Sequence, residues 1–217
     1  MNQNLVWGIL VVALVGGLVA VGVLNNNSNK NITMDEETKE MVSEALNNPV
    51  VTVVTNQGTF ELELFKREMP ITAGNFLKLV EEGFYDGTRF HRVIPGFMVQ
   101  GGDPLTKEQP ANTAIHGTGG PGYMIEDEFV VGDKLSNRRG SISMANSGRP
   151  NSGGSQFFIN VADNTFLDFD QPPLESKHPV FGQVVSGMEV VDKIVSVPTV
   201  PGDQPVEPVI IEKMTVK

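Results

Sequence analysis

From Val50 onwards the apolar residues of this chain come in short β-branched or aromatic runs cut by glycine, and that punctuation restricts the fold more than any other feature. Eight runs read as strands: Val50–Thr55, Phe60–Leu64, Arg89–Ile94, Phe97–Gln100, Gly140–Ala145, Gln156–Val161, Val180–Val185 and Val209–Val216. The first two form a predicted hairpin, because Gln57-Gly58 makes a turn and Phe60-Glu61-Leu62-Glu63-Leu64 alternates with period two. Helical spacing occurs twice. Ile71 to Glu82 puts Phe76, Leu77 and Val80 on one stripe, with Thr72 as cap and Gly83 as stop, and Met188 to Val195 predicts a second, shorter helix. Short strands, two helices and long Gly/Pro connections predict a mainly β fold, a closed antiparallel β-barrel whose ends are capped by two α-helices.

Ahead of that domain, Leu5 to Leu24 is a run of 20 residues without a charge, long enough to cross a bilayer core of roughly 30 Å as one helix. The run is apolar all round and is followed at once by Asn25-Asn26-Asn27-Ser28-Asn29, which argues against a buried core helix. The expectation is that residues 1–24 form a single transmembrane helix that anchors the chain in a membrane. A cleaved signal peptide is the alternative, although the run exceeds the usual apolar stretch of about 7–15 residues and Met1 to Asn4 carries no lysine or arginine. Residues 25–48 read as a polar linker, within which Asp35 to Leu46 is a candidate helix capped by Thr33, and residues 49–217 as the functional domain. Lys30 and Lys39 favour a cytoplasmic domain by the basic-residue rule. Asp35, Glu36 and Glu37 dilute them, and a four-residue tail before one hydrophobic run has the shape of an export signal. The domain is therefore expected on the extracytoplasmic side, periplasmic or outer-surface. Secretion after cleavage and a cytoplasmic domain are the alternatives.

Composition removes several classes of chemistry. The chain has no cysteine, so disulfides, thiol nucleophiles, Cys-zinc sites and a lipoprotein anchor are excluded. A net charge of −10 argues against nucleic acid as a partner, since phosphates need a basic face. The three histidines share no metal-ligand spacing, and no metal or cofactor is expected. Gly117-Thr118-Gly119-Gly120-Pro121-Gly122 lacks the Lys-Ser/Thr ending of a phosphate loop. Ser155 lies outside any Gly-x-Ser-x-Gly elbow, which argues against a hydrolase. His91 is expected to have a structural hydrogen-bonding role.

What remains is Phe90 to Asp103. It sets one arginine, Arg92, among apolar and aromatic residues, adds Gln100 and ends in a Gly-Gly turn. Such a segment suits binding and polarisation rather than bond cleavage. Strand alternation puts Met98 and Gln100 on one face, and Gln156, Phe158 and Asn160 on one face of another strand, leaving Phe157 and Ile159 for the interior. A groove floored by Met98 and Phe158, with glutamines beside it, is shaped for a compact apolar ring flanked by peptide backbone, and proline is such a ring.

Phe90–Asp103, Ser143–Asn146 and Gly154–Asn160, with Phe166-Leu167-Asp168 and Lys177–Gly182, resemble the cyclophilin peptidyl-prolyl isomerases, and the likeness runs over essentially all of Val50–Lys217. The resemblance implies an eight-stranded barrel and an enzyme that speeds X-Pro rotation in unfolded or flexible protein segments, without a cofactor and as a monomer. A non-catalytic module that captures proline-containing peptides is the alternative. The resemblance gives Arg92 the catalytic role, held in place by Gln100. Phe97, Met98, Phe158 and Leu167 would form the proline pocket, with Ala145 and Asn146 in the groove and the Asn146 backbone pairing with substrate. Gln156 and His178 would border it. Phe166 would also bind substrate as an apolar wall; it stands where most eukaryotic members have tryptophan, a residue that helps to bind cyclosporin, so tight inhibition is not implied here. Leu105–His116 and Phe169–Ser176 are longer connections than a minimal member has.

Overall fold

The structure, a computed structural model, describes residues 9–15, 18–24, 47–172 and 177–217. The chain divides into two compact units, Met1–Asn47 and Asn48–Lys217.

In the first unit, β1 (Ile9–Val15) and β2 (Leu18–Leu24) pair antiparallel, with Ile9 opposite Leu24 and Val15 opposite Leu18. This corrects the expected single transmembrane helix. Among the described residues no helix is long and apolar enough to cross a membrane. The physical reason lies in the composition of the run. It is rich in valine, which is stiff at χ1 and favours strands, and Gly16-Gly17 separates two segments of equal length, a strong hairpin signal. Apolar character alone does not distinguish the two outcomes. The candidate helix Asp35–Leu46 lies outside the described residues.

The second unit is built on one antiparallel sheet. Its strands are β3 (Val50–Thr55), β4 (Gly58–Leu64), β5 (Arg92–Ile94), β6 (Met98–Gly101), β7 (Ser141–Met144), β8 (Phe157–Asn160), β9 (Val180–Ser186) and β12 (Ile211–Val216). They lie in the order β12-β3-β4-β9-β7-β8-β6-β5. A separate small hairpin pairs β10 (Thr199–Val200) with β11 (Gln204–Pro205). The sheet curls, but the expected closed barrel does not form. Among the described residues no ladder joins β5 to β12; the chain beside the two ends meets at the isolated bridge Arg89 to Ile210 and through backbone bonds from Gly87 N–H to Ile211 O, Ile211 N–H to Thr88 O and Phe90 N–H to Val209 O. The edges are used locally instead: Val93 N–H donates to Asp203 O at 2.8 Å, and Met214 N–H donates to Asp86 Oδ1 at 3.0 Å.

Helix α1 (Pro70–Glu81) starts at a proline, whose fixed φ suits the first helical position. Thr72 does not cap it. The Ile71 and Thr72 N–H groups donate to the carboxylate of Glu128, at 3.1 and 2.8 Å, so a distant anion satisfies the helix start. At the other end Gly83, at φ +66°, gives its N–H to Val80 O, and Phe84 N–H reaches Leu79 O. That pair of bonds is the Schellman stop, and it needs a left-handed residue. Helix α2 (Met188–Val195) buries Val191, Ile194 and Val195. The concave face of the sheet is filled by Val51, Val53, Phe60, Leu62, Leu64, Val99, Ile142, Phe157 and Ile159 against Phe76 and Ala73 of α1. Phe76 sits 5.4 Å from Phe157 edge-on and 5.3 Å from Phe181.

Candidate active site

The site is assembled on the opposite face of the same strands. The β5–β6 hairpin turns at Pro95-Gly96, with Gly96 at φ +73° and Phe97 N–H bonded to Ile94 O. Register then does the placing. Arg92 lies opposite Gln100, Gln100 opposite Phe158, and Phe158 opposite Ser143, so one row runs across four strands. Cross-strand partners on one face have their Cβ atoms about 5 Å apart, close enough for their side chains to act together.

A face turned away from the core is ordinarily polar. Here Met98, Phe158 and Leu167 are buried in a second apolar cluster, with Ile94, Phe97 and Ala145 packed against it. Leu167 arrives from the 3-10 turn Thr165–Leu167. Phe166, beside it, is exposed and stacks on Phe97 with ring centroids 6.0 Å apart. The His178 ring meets Phe158 edge-on at 5.3 Å, and its Nδ1 lies 3.0 Å from Met144 O. A carbonyl can only accept, so Nδ1 carries the proton and Nε2 is left as an acceptor. Burial lowers the His178 pKa, against the opposing pull of the Met144 carbonyl, and favours that neutral form.

Asn146 donates through Nδ2 to Lys177 O, and its Oδ1 accepts the Gly148 N–H. Its own backbone N–H and C=O have no partner among the described residues. Beside the apolar cluster lies a cleft of about 710 Å³, lined on the shared side by Gln100, Ala145 and Gln156 and on the far side by Tyr123, Met124 and Arg149. That size is ordinary for a ligand cleft.

Arg92 is roughly half exposed. Its Nε lies 3.6 Å from Asp203 Oδ2, an ion pair too long for a hydrogen bond. The Gln100 Nε2 donates to Gln156 Oε1 at 3.0 Å. Asp203, which sequence reasoning missed, holds a left-handed φ of +64°, a conformation aspartate tolerates better than most residues. A second missed feature lies under the pocket. Asn137, Ser143, Asn160, Asn164 and Asp168 are all buried and hydrogen-bonded together. Asn164 Nδ2 also reaches Phe97 O at 2.9 Å, and Asn137 Nδ2 reaches His178 O at 3.0 Å, so the network ties together the backbones that carry the pocket walls. Asn160 therefore shares a face with Phe158 but offers nothing to the groove.

His91 behaves differently from expectation. It is buried, and neither ring nitrogen has a hydrogen-bond partner. Burial pushes its pKa down to about 4, partly opposed by Asp103. The expected hydrogen-bonding role is replaced by a neutral ring packed against Gly117, whose added Cβ would lie 3.4 Å from His91 Nε2.

The chain belongs to the cyclophilin type peptidyl-prolyl cis-trans isomerase family, whose profile matches residues 50–216. A peptidyl-prolyl cis-trans isomerase of Acinetobacter baylyi is 46% identical over 155 residues, covering 71% of this chain and 76% of the relative. Peptidyl-prolyl cis-trans isomerase B of Escherichia coli is 42% identical over 174 residues, covering 77% of this chain and 99% of the relative. Among solved structures, a Cryptosporidium parvum cyclophilin type isomerase determined in the presence of the dipeptide Ala-Pro superposes with a TM-score of 0.64. It is 33% identical and covers 77% of this chain and 98% of its own.

Proposed function

We propose that the Asn48–Lys217 unit accelerates cis-trans rotation of X-Pro bonds in unfolded or flexible protein segments. One observation carries the reading: the buried apolar cluster of Met98, Phe158 and Leu167 contains Phe158, which lies in the cross-strand row that runs through Gln100 to Arg92. Amide resonance sets a barrier of about 18–20 kcal/mol to rotation, and X-Pro exchange takes tens to hundreds of seconds unaided. A proline ring seated on Met98 and Phe158 brings its nitrogen towards Arg92. As the bond twists, that nitrogen pyramidalises and its lone pair becomes an acceptor for the guanidinium. Arginine stays charged at every working pH and presents several rigid donors, so its stabilisation grows as the bond leaves planarity. The free Asn146 backbone groups hold the peptide on one side of the twisting bond. No bond is broken.

In a protease-coupled assay on an X-Pro tetrapeptide, Arg92→Ala should lower kcat/KM by roughly 10²–10³, the usual effect of removing one transition-state donor. Equal rates for wild type, Arg92→Ala and buffer would leave a peptide-capturing module as the correct reading. The uncharged run Leu5–Leu24 also supports placing the unit on the extracytoplasmic side of a membrane, or outside the cell after cleavage. Protease added to intact cells should digest the domain. Protection until the membrane is breached would reverse that placement.

A further inference from the structure

We propose that Asp103 is a positioning residue for the isomerase reaction: through the loop Gly117-Thr118-Gly119 it fixes which way the side-chain amides of Gln156 and Gln100 face. The inference rests on the reading of the site given above.

Asp103 is wholly buried, and its carboxylate accepts three backbone N–H groups. Oδ1 takes Leu105 N–H at 2.8 Å, and Oδ2 takes those of Gly117 and Gly119, the latter at 3.2 Å. The N–H groups of the loop are thereby turned inwards. Its carbonyls are used from the other side: Gln156 Nε2 donates to Gly117 O at 2.9 Å and to Gly119 O at 2.8 Å. Carbonyl oxygens cannot donate, so the amide of Gln156 has one orientation, with Nε2 on the loop and Oε1 away from it. Oε1 in turn accepts from Gln100 Nε2. The oxygen of Gln100 is then the end left over, in the row that runs from Arg92 to Phe158.

A glutamine amide rotates through two states of similar shape and opposite polarity. Reversed, the pair would present an NH2 group to the cationic Arg92. In the observed sense it presents an acceptor, which both a guanidinium and a substrate N–H require. The glycines of the loop follow from the same clamp. A Cβ on Gly119 would lie 2.1 Å from Asp103 Oδ1, and Gly117 sits at φ +94°.

The test uses the full chain with two substitutions. Asp103→Asn replaces an acceptor by a group that also carries an NH2, and Gly119→Ala displaces the carboxylate without altering its chemistry. Exchange spectroscopy on an X-Pro peptide should show kcat reduced about tenfold in each, the equivalent of one hydrogen bond, with KM changed less than about twofold. The Gln156 side-chain NH2 protons should exchange slowly in wild type and fast in both variants. In a Gln156→Met background, Gly119→Ala should add nothing further. A folded variant with wild-type kcat and slow NH2 exchange overturns the proposal, as does a Gly119→Ala effect of equal size in the Gln156→Met background. Should Asp103→Asn fail to fold, Gly119→Ala decides, because it lies on a half-buried surface loop. Arg92→Ala separates the two claims: full activity there defeats the reaction itself, whereas its loss alongside normal Asp103→Asn and Gly119→Ala defeats only this inference.

Discussion

Strands β6 and β8 carry two apolar clusters, one on each face, and the two differ in what completes them. Inside, Val99, Phe157 and Ile159 belong to the main buried cluster, where Phe157 meets Phe76 of α1 and Tyr85 edge-on, so the chain closes its own core. Outside, Met98 and Phe158 are scarcely more exposed, at 2% and 5%. Their cover, though, is a 3-10 turn and Phe97 beside an open cleft. Low exposure therefore does not separate core from site. The difference lies in whether the last wall is protein or is left for a ligand.

Substituting adjacent residues tests that distinction most strongly. Phe157→Ala should cost about 3–5 kcal/mol in denaturant melts, because the cavity is sealed by neighbouring aromatics. Phe158→Ala should cost less than half as much stability, since several of its neighbours, Ile94, Phe97 and Ala145, are only partly buried, while raising KM for an X-Pro peptide roughly 10–100-fold. Equal stability losses would show that the outer cluster is a second core.

Buried His91 comes next. Its folded pKa of about 4 lies below the ordinary 6.5, so the neutral form is favoured by folding. The unfolded chain takes up the proton first as pH falls. The stabilisation is therefore complete above about pH 6.5 and is lost on the way down to about pH 4, by up to roughly 3 kcal/mol. His91→Phe should flatten that part of the stability profile relative to wild type in melts between pH 7 and about pH 4. Identical slopes would mean that the ring is hydrated.

Asp203→Asn should reduce kcat/KM about fivefold at most, because both partners of the ion pair are half exposed, and the deficit should vanish in high salt. A deficit that persists in high salt would argue for a backbone cause. Phe166→Trp is the smallest change: cyclosporin should bind more tightly in a titration, with isomerase activity unchanged.

Local signals in the sequence were read correctly where the cause was local. Phe60, Leu62 and Leu64 alternate inwards as their period requires, and Gly83 stops α1 because the Schellman turn needs its positive φ. The pairing of Arg92, Gln100 and Phe158 in one row was half visible: alternation gave the faces, and only the register of three strands gave the alignment. What failed was long-range. Thr72 is not the cap because the helix already starts at Pro70, and Glu128, 56 residues away, accepts its N–H. No ladder closes the barrel because Val93 N–H goes to Asp203 O and Met214 N–H to Asp86, which leaves only the short contact of residues 87–90 with 209–211 between the margins. Hydropathy in Leu5–Leu24 reports burial and says nothing about φ and ψ, so it does not separate a helix from the antiparallel pairing of Ile9–Val15 with Leu18–Leu24. Asp203 and Asn137 have no sequence signature, and although Ser143, Asn160 and Asp168 lie in the family motifs, only the fold shows that they bond together under the pocket.

The used-up margins of the sheet bear on how a client leaves. A bare, extended edge invites a passing strand to zip on by its backbone, and such pairing is hard to undo. The strand bearing Arg92 is three residues long, ends at Pro95, and has already given its Val93 N–H to Asp203. At the far margin Met214 is satisfied by Asp86. Neither margin therefore offers a passing polypeptide a bare edge to pair with along its length. A chain that cannot zip on in that way leaves readily, which suits an isomerase that must turn over.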